Sequence, residues 1–78
     1  MIIHFTQHAE NKLDTLTRHQ FSLSRKQVIA TVQEADQIEK AKKGPLVVYQ
    51  KKLSPRYSLE VIAYQEKSIL KIITFYPI

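Results

Sequence analysis

The 78-residue chain is long enough for one hydrophobic core and too short for two. It holds no cysteine, which excludes disulfide staples, thiolate metal sites and thiol nucleophiles, so packing alone must hold the fold. Its net charge of +5 is uneven: residues 1–39 carry four basic and five acidic residues, whereas residues 40–78 carry eight basic residues against Glu60 and Glu66.

A basic second half suits a polyanion or an acidic protein partner, and equally serves as a solvated, lysine-rich surface. The longest apolar runs, "LVVY", "VIAY" and "ITFYPI", fall far below a membrane span, and "MIIHFT" lacks the basic lead of a signal peptide. The expectation is a cytoplasmic protein with no membrane association.

In chain order, residues 2–5 read as a short strand. Thr6 stands at an N-cap position, and Ala9, Leu13 and Leu16 follow at helical spacing, predicting a helix over about 7–19. "HQFSLS" breaks the pattern, with Phe21 and Leu23 expected to plug the join. Ser24 is the second N-cap, and Val28, Ile29, Val32 and Ala35 form the stripe of a second helix. "DQIEKA" is a candidate short strand and "KKGPL" a turn around the only glycine. Residues 46–52, 57–65 and 68–76 are rich in β-branched and aromatic side chains, separated at hairpin lengths, and Pro77 ends the last of them. The predicted fold is α+β: a short N-terminal strand, two helices, then a three-stranded antiparallel meander, with both helices on one face of the sheet. The whole chain, 1–78, is one domain.

Four constellations carry candidate chemistry. His4 and His8 are four apart, but Thr6 caps the helix between them, and only His19 remains as a further ligand, so no metal or other cofactor is expected. His8 remains a candidate proton-transfer group, with Lys12 one turn further along. The alternatives are a packing histidine and a solvated lysine. In "YQKKLSPRY", Tyr49, Lys51, Lys52, Arg56 and Tyr57 flank one turn, and cations beside aromatics suit single-stranded RNA. A charged hairpin tip that blunts an edge strand is the plainer alternative. In the last strand, alternation puts Ile69, Lys71, Ile73 and Phe75 on one face and Leu70, Ile72, Thr74 and Tyr76 on the other. Lys71 among apolar neighbours borders a groove or snorkels at an edge.

"HFTQHAENKL" resembles the opening of the domain-of-unknown-function family 4258, through Phe5, Thr6, His8, Ala9, Lys12 and Leu13. "SRKQVIATVQEADQIE", "LEVIAYQ" and "IITFYP" look like its second helix and last strands. Lys12 stands where that family usually has arginine, and "TRHQFSLS" is longer than its Arg-Gly-Ile-Ser helix link. The element order also resembles the RelE/ParE-like toxin superfamily, whose members include ribonucleases and gyrase poisons. That resemblance implies a RelE-like domain and a toxin–antitoxin pair, with an acidic antitoxin as partner. The expected activity is metal-independent cleavage of mRNA, on or off the ribosome. His8 or Tyr76 would be the base, with Lys12 beside His8. Lys52 and Arg56 would stabilise the phosphoryl charge. Lys42, Lys43, Tyr49, Lys51, Tyr57 and Lys71 would hold RNA. The alternative is a non-catalytic module, or a gyrase-poison-like toxin, acting through an acidic protein. A second copy of the chain is a further candidate partner.

Overall fold

A computed structural model describes residues 2–18, 23–41 and 44–78. The elements are β1 (Ile2–Phe5), α1 (Gln7–Arg18), α2 (Arg25–Gln33), β2 (Gln37–Lys40), β3 (Leu46–Lys52), β4 (Ser58–Glu66) and β5 (Ile69–Pro77). Phe21 and His19 lie outside the described residues, as do Lys42 and Lys43.

Both helix starts follow from their caps. The Thr6 hydroxyl accepts the Ala9 amide at 3.2 Å and donates to the Ile72 carbonyl at 2.9 Å, so one side chain starts α1 and ties it to β5. Ser24 and Gln27 form a reciprocal capping box: Ser24 Oγ accepts the Gln27 amide at 3.3 Å, and Gln27 Oε1 accepts the Ser24 amide at 2.8 Å. Across the helix pair, the Arg25 guanidinium reaches Glu10 at 2.6 Å and lies 4.5 Å from the centroid of the Phe5 ring. That clamp joins α2, α1 and β1.

Among the described residues the sheet has five strands, in the order β1-β5-β4-β3-β2. It is wider than the expected three-stranded meander, because both short strands join it. β1 lies parallel to β5, with Phe5 opposite Ile72, while the remaining pairs are antiparallel. A parallel first strand makes the sheet mixed. Its pairing partner is more than sixty residues away, so no local pattern could have announced it.

Both helices cover one face, where Leu59, Val61, Ala63, Leu70 and Ile72 form the centre of the core with Val28 and Ala9. Thr31 is buried among them, with its hydroxyl donating to the Gln27 carbonyl at 2.8 Å. The alternation read for the last strand fails at its end. The register pairs Ala63 with Ile72 but Ile62 with Thr74, so Ile73 is an extra residue. This β-bulge shifts the phase by one, and Phe75 turns to the helix-covered face with Leu70 and Ile72, fully buried. Pro77 is tolerated for a related reason. Ser58 and Ile78 exchange both backbone hydrogen bonds, so the position of Pro77 would direct an amide away from β4, toward an edge where none is needed.

Candidate proton-transfer site on the last strand

The bulge also sets which side chains meet on the helix-free face. Beyond Ile73, Tyr76 stands opposite Glu60 in the β4–β5 pair, and Glu60 stands opposite Gln50 in the β3–β4 pair. The Tyr76 hydroxyl donates to Glu60 Oε2, and Gln50 Nε2 donates to Glu60 Oε1 at 2.6 Å. Three strands thus contribute one continuous row of hydrogen-bonded side chains. All three residues are half-buried, which strengthens each bond relative to open water.

Lys12 approaches the same row from α1. Its ammonium donates to Thr74 Oγ1 at 3.1 Å and lies 5.5 Å from the Tyr76 ring centroid and 5.7 Å from that of Phe75. Burial pushes its pKa below the ordinary lysine value. The solvated-lysine alternative for this residue therefore gives way to a pinned one. His8, exposed one turn earlier, lines a shallow hollow of about 300 Å³ with Asn11, Lys12 and Thr15.

Lys52 occupies the next row on the same face. It pairs with Ser58, which in turn bonds Ile78, and its own amide is held by the Asp36 carboxylate at 2.8 Å. Standard strand spacings put its Cα about 12 Å from that of Tyr76, within reach of one phosphate held between the two side chains. Arg56 is exposed in the turn that follows, where Ser54 Oγ accepts its amide at 3.1 Å, and Tyr57 is half-buried beside it. The hairpin tip and the end of β5 therefore lie at one end of the sheet.

Other residues expected to bind RNA go elsewhere. Tyr49 is only 7% exposed and belongs to the core cluster, which leaves little of its ring to stack on a base, and burial raises its pKa. Its period-2 position between Val47 and Lys51 turned it to the helices. Lys51 shares that face: its ammonium sits 3.5 Å from the Glu34 carbonyl and 4.0 Å from the Glu34 carboxylate, at the C-terminal end of α2. Lys71 is on the helix-free face, but in the row of Tyr64 and His4, and pairs with Glu66 at 3.4 Å. Tyr64 and Glu60, the partners of Lys71 and Tyr76, are four steps apart on β4, which puts Lys71 about 14 Å from Tyr76 along the strand. Lys42 and Lys43 lie outside the described residues. Among the described residues, no group of three His, Asp or Glu could hold a metal ion.

Sequence reasoning missed Glu60, Gln50 and Thr74. Glu60 did leave a signal, as one of only two acidic residues in the basic half, set between Leu59 and Val61 on the outward phase of a strand. What it faces depends on β4–β5 register, which the sequence does not spell out.

No family model matches this chain, and neither does any curated protein or solved structure. No helix among the described residues is long and apolar enough to cross a membrane.

Proposed function

We propose that the protein is a RelE-like ribonuclease toxin that cleaves single-stranded RNA without a metal ion, with Tyr76 as the base. The observation that carries this reading is the row Tyr76–Glu60–Gln50 with Lys12 over the Tyr76 ring, one strand row from Lys52. The element order and the basic second half are consistent with it.

In the proposed reaction a ribose 2′-oxygen attacks the adjacent phosphorus. Its proton passes to Tyr76, whose own hydroxyl proton moves to Glu60. The bond from phosphorus to the 5′-oxygen breaks, and that oxygen takes a proton from His8 or from water. The products are a 2′,3′-cyclic phosphate and a free 5′-hydroxyl. Lys52 and Arg56 stabilise the charge that grows on the phosphoryl oxygens. An acidic antitoxin would neutralise the same basic end of the sheet.

The test is incubation of the purified chain with end-labelled RNA in chelator, with and without ribosomes. Cleavage to cyclic-phosphate ends is expected, with Tyr76→Phe and Lys52→Ala each reducing the rate about 100-fold or more. RNA left intact in both conditions rules the reading out.

A second reading, a non-catalytic module that binds an acidic protein, is favoured by a different observation. Ile2, Leu46, Tyr64 and Ile69 are exposed at the opposite end of the helix-free face. Growth arrest that survives Tyr76→Phe but is lost with Tyr64→Asp would select it.

A further inference from the structure

The outer strand β2 offers a second kind of surface. All four of its residues are exposed, Ile38 by 55%. The Ala41 amide donates to the Leu46 carbonyl at 3.0 Å, which sets the phase of the β2–β3 ladder. In that phase Gln37 and Glu39 turn their peptide groups toward β3, and Ile38 and Lys40 turn theirs to the open edge. Asp36 begins the strand with its amide on the Gln50 carbonyl at 2.8 Å, so only its carbonyl is left for the edge.

We propose that this edge is a homodimer interface, in which β2 of two copies pairs antiparallel about a two-fold axis at Ile38. The charge order of the segment is self-complementary in that register. Ile38 faces Ile38 of the second copy, Gln37 faces Glu39, and Lys40 faces Asp36 at both ends. Four backbone hydrogen bonds form: the two Ile38 amides reach each other's Ile38 carbonyls, and the two Lys40 amides reach the Asp36 carbonyls. A register centred on Glu39 also makes four, but it sets Glu39 against Glu39 at the closest cross-strand spacing and leaves Lys40 opposite Ile38. Charge therefore selects the first. The Asp36 carboxylate has an oxygen to spare for Lys40, because only its Oδ2 holds the Lys52 amide.

The side chains agree with the backbone. Ile38 and Lys40 border an apolar hollow of about 460 Å³, whose other walls include Pro45, Val47 and Tyr49. Pairing at Ile38 joins the two hollows into one trough and covers an exposed isoleucine. It also removes an open sheet edge, which monomeric proteins otherwise have to blunt. The result is one ten-stranded sheet, with Tyr76 on β5 separated from β2 by β4 and β3.

The test uses the full chain, which has no cysteine of its own. Directly opposed residues in this phase have Cα atoms about 5.5 Å apart, within the span of a disulfide. Under mild oxidation Ile38→Cys is expected to cross-link to a covalent dimer, much faster than Pro55→Cys on the hairpin tip. Sedimentation equilibrium of the unmodified protein is expected to give a dimer, and Ile38→Pro a monomer with unchanged circular dichroism, since that proline removes an amide aimed at the edge. A wild-type monomer at millimolar concentration, equal cross-linking at both positions, or a dimer that persists in Ile38→Pro overturns the proposal.

Discussion

Tyr76 and Glu60 stand directly opposite each other in the β4–β5 pair, and the phenol donates its hydroxyl to the carboxylate. This relationship depends on Ile73. Without that bulged residue, Tyr76 would turn to the helices and Phe75 to solvent. One extra residue thus buries the largest fully enclosed side chain among the described residues and turns the half-buried candidate base to the helix-free face.

Deleting Ile73 should therefore cost both stability and site. The variant must either expose Phe75 or break the β4–β5 register. We expect it to be unfolded, or to melt far below the parent, as followed by circular dichroism. Phe75→Ala, which keeps the register but empties a site with no exposure, should cost about 3–5 kcal/mol in urea titration.

Tyr76→Phe and Glu60→Gln separate fold from chemistry. Each removes one neutral or charge-assisted hydrogen bond at a half-buried position, with an expected loss of about 1–2 kcal/mol in stability. Both should fold. If the ribonuclease reading holds, both lose RNA cleavage by at least about 100-fold, and a variant that cuts RNA at the parent rate removes Tyr76 from the mechanism.

Lys12 and Thr74 should couple. Thr74→Val and Lys12→Met each break the bond between them, and a double-mutant cycle in urea should return a coupling of about 0.5–1.5 kcal/mol. Lys12→Ala should lose more than Lys12→Met, because it also removes the methylene stem of a half-buried side chain.

The Glu10–Arg25 clamp predicts an acid dependence. The hydrogen bond from Arg25 holds the Glu10 carboxyl below its ordinary value of 4.5. A carboxyl lowered in the folded state adds stability that is present above the unfolded value and is lost as pH falls through the folded one. Stability of the parent should thus fall below about pH 4.5 by more than that of Glu10→Gln, and thermal melts of the two at pH 3 and pH 7 measure the difference. Salt should weaken the effect, since the pair is exposed.

Tyr49 predicts the opposite limb. Burial raises its pKa above the ordinary value of 10.0, so the folded state keeps a proton that the unfolded chain gives up. Stability should be intact below pH 10 and fall above it, and Tyr49→Phe should flatten that decline in alkaline urea titrations.

Much of this fold was legible as local pattern. The helical stripes of Ala9 with Leu13 and of Val28 with Val32, the caps at Thr6 and Ser24, and the strand 46–52 all followed from spacing and residue type. The sequence read Tyr49 and Lys51 as one group with Lys52, because they are near in the chain. Yet a strand sends alternate residues to opposite faces, so Tyr49 entered the core and Lys51 went to α2, while Lys52 stayed on the helix-free face. Lys12 and Tyr76, sixty-four positions apart, were both candidates but not as neighbours.

The sequence by itself determined which segments are helix or strand, where each helix begins, and that positive charge gathers in the second half. Those are matters of short-range periodicity, capping chemistry and composition. Only the tertiary structure decided that β1 lies parallel beside β5, that the last strand changes phase at Ile73, and that Glu60 answers Tyr76. Each is a choice of register between segments distant in the chain. Such a choice is made by the burial of whole faces at once, and no single segment records it.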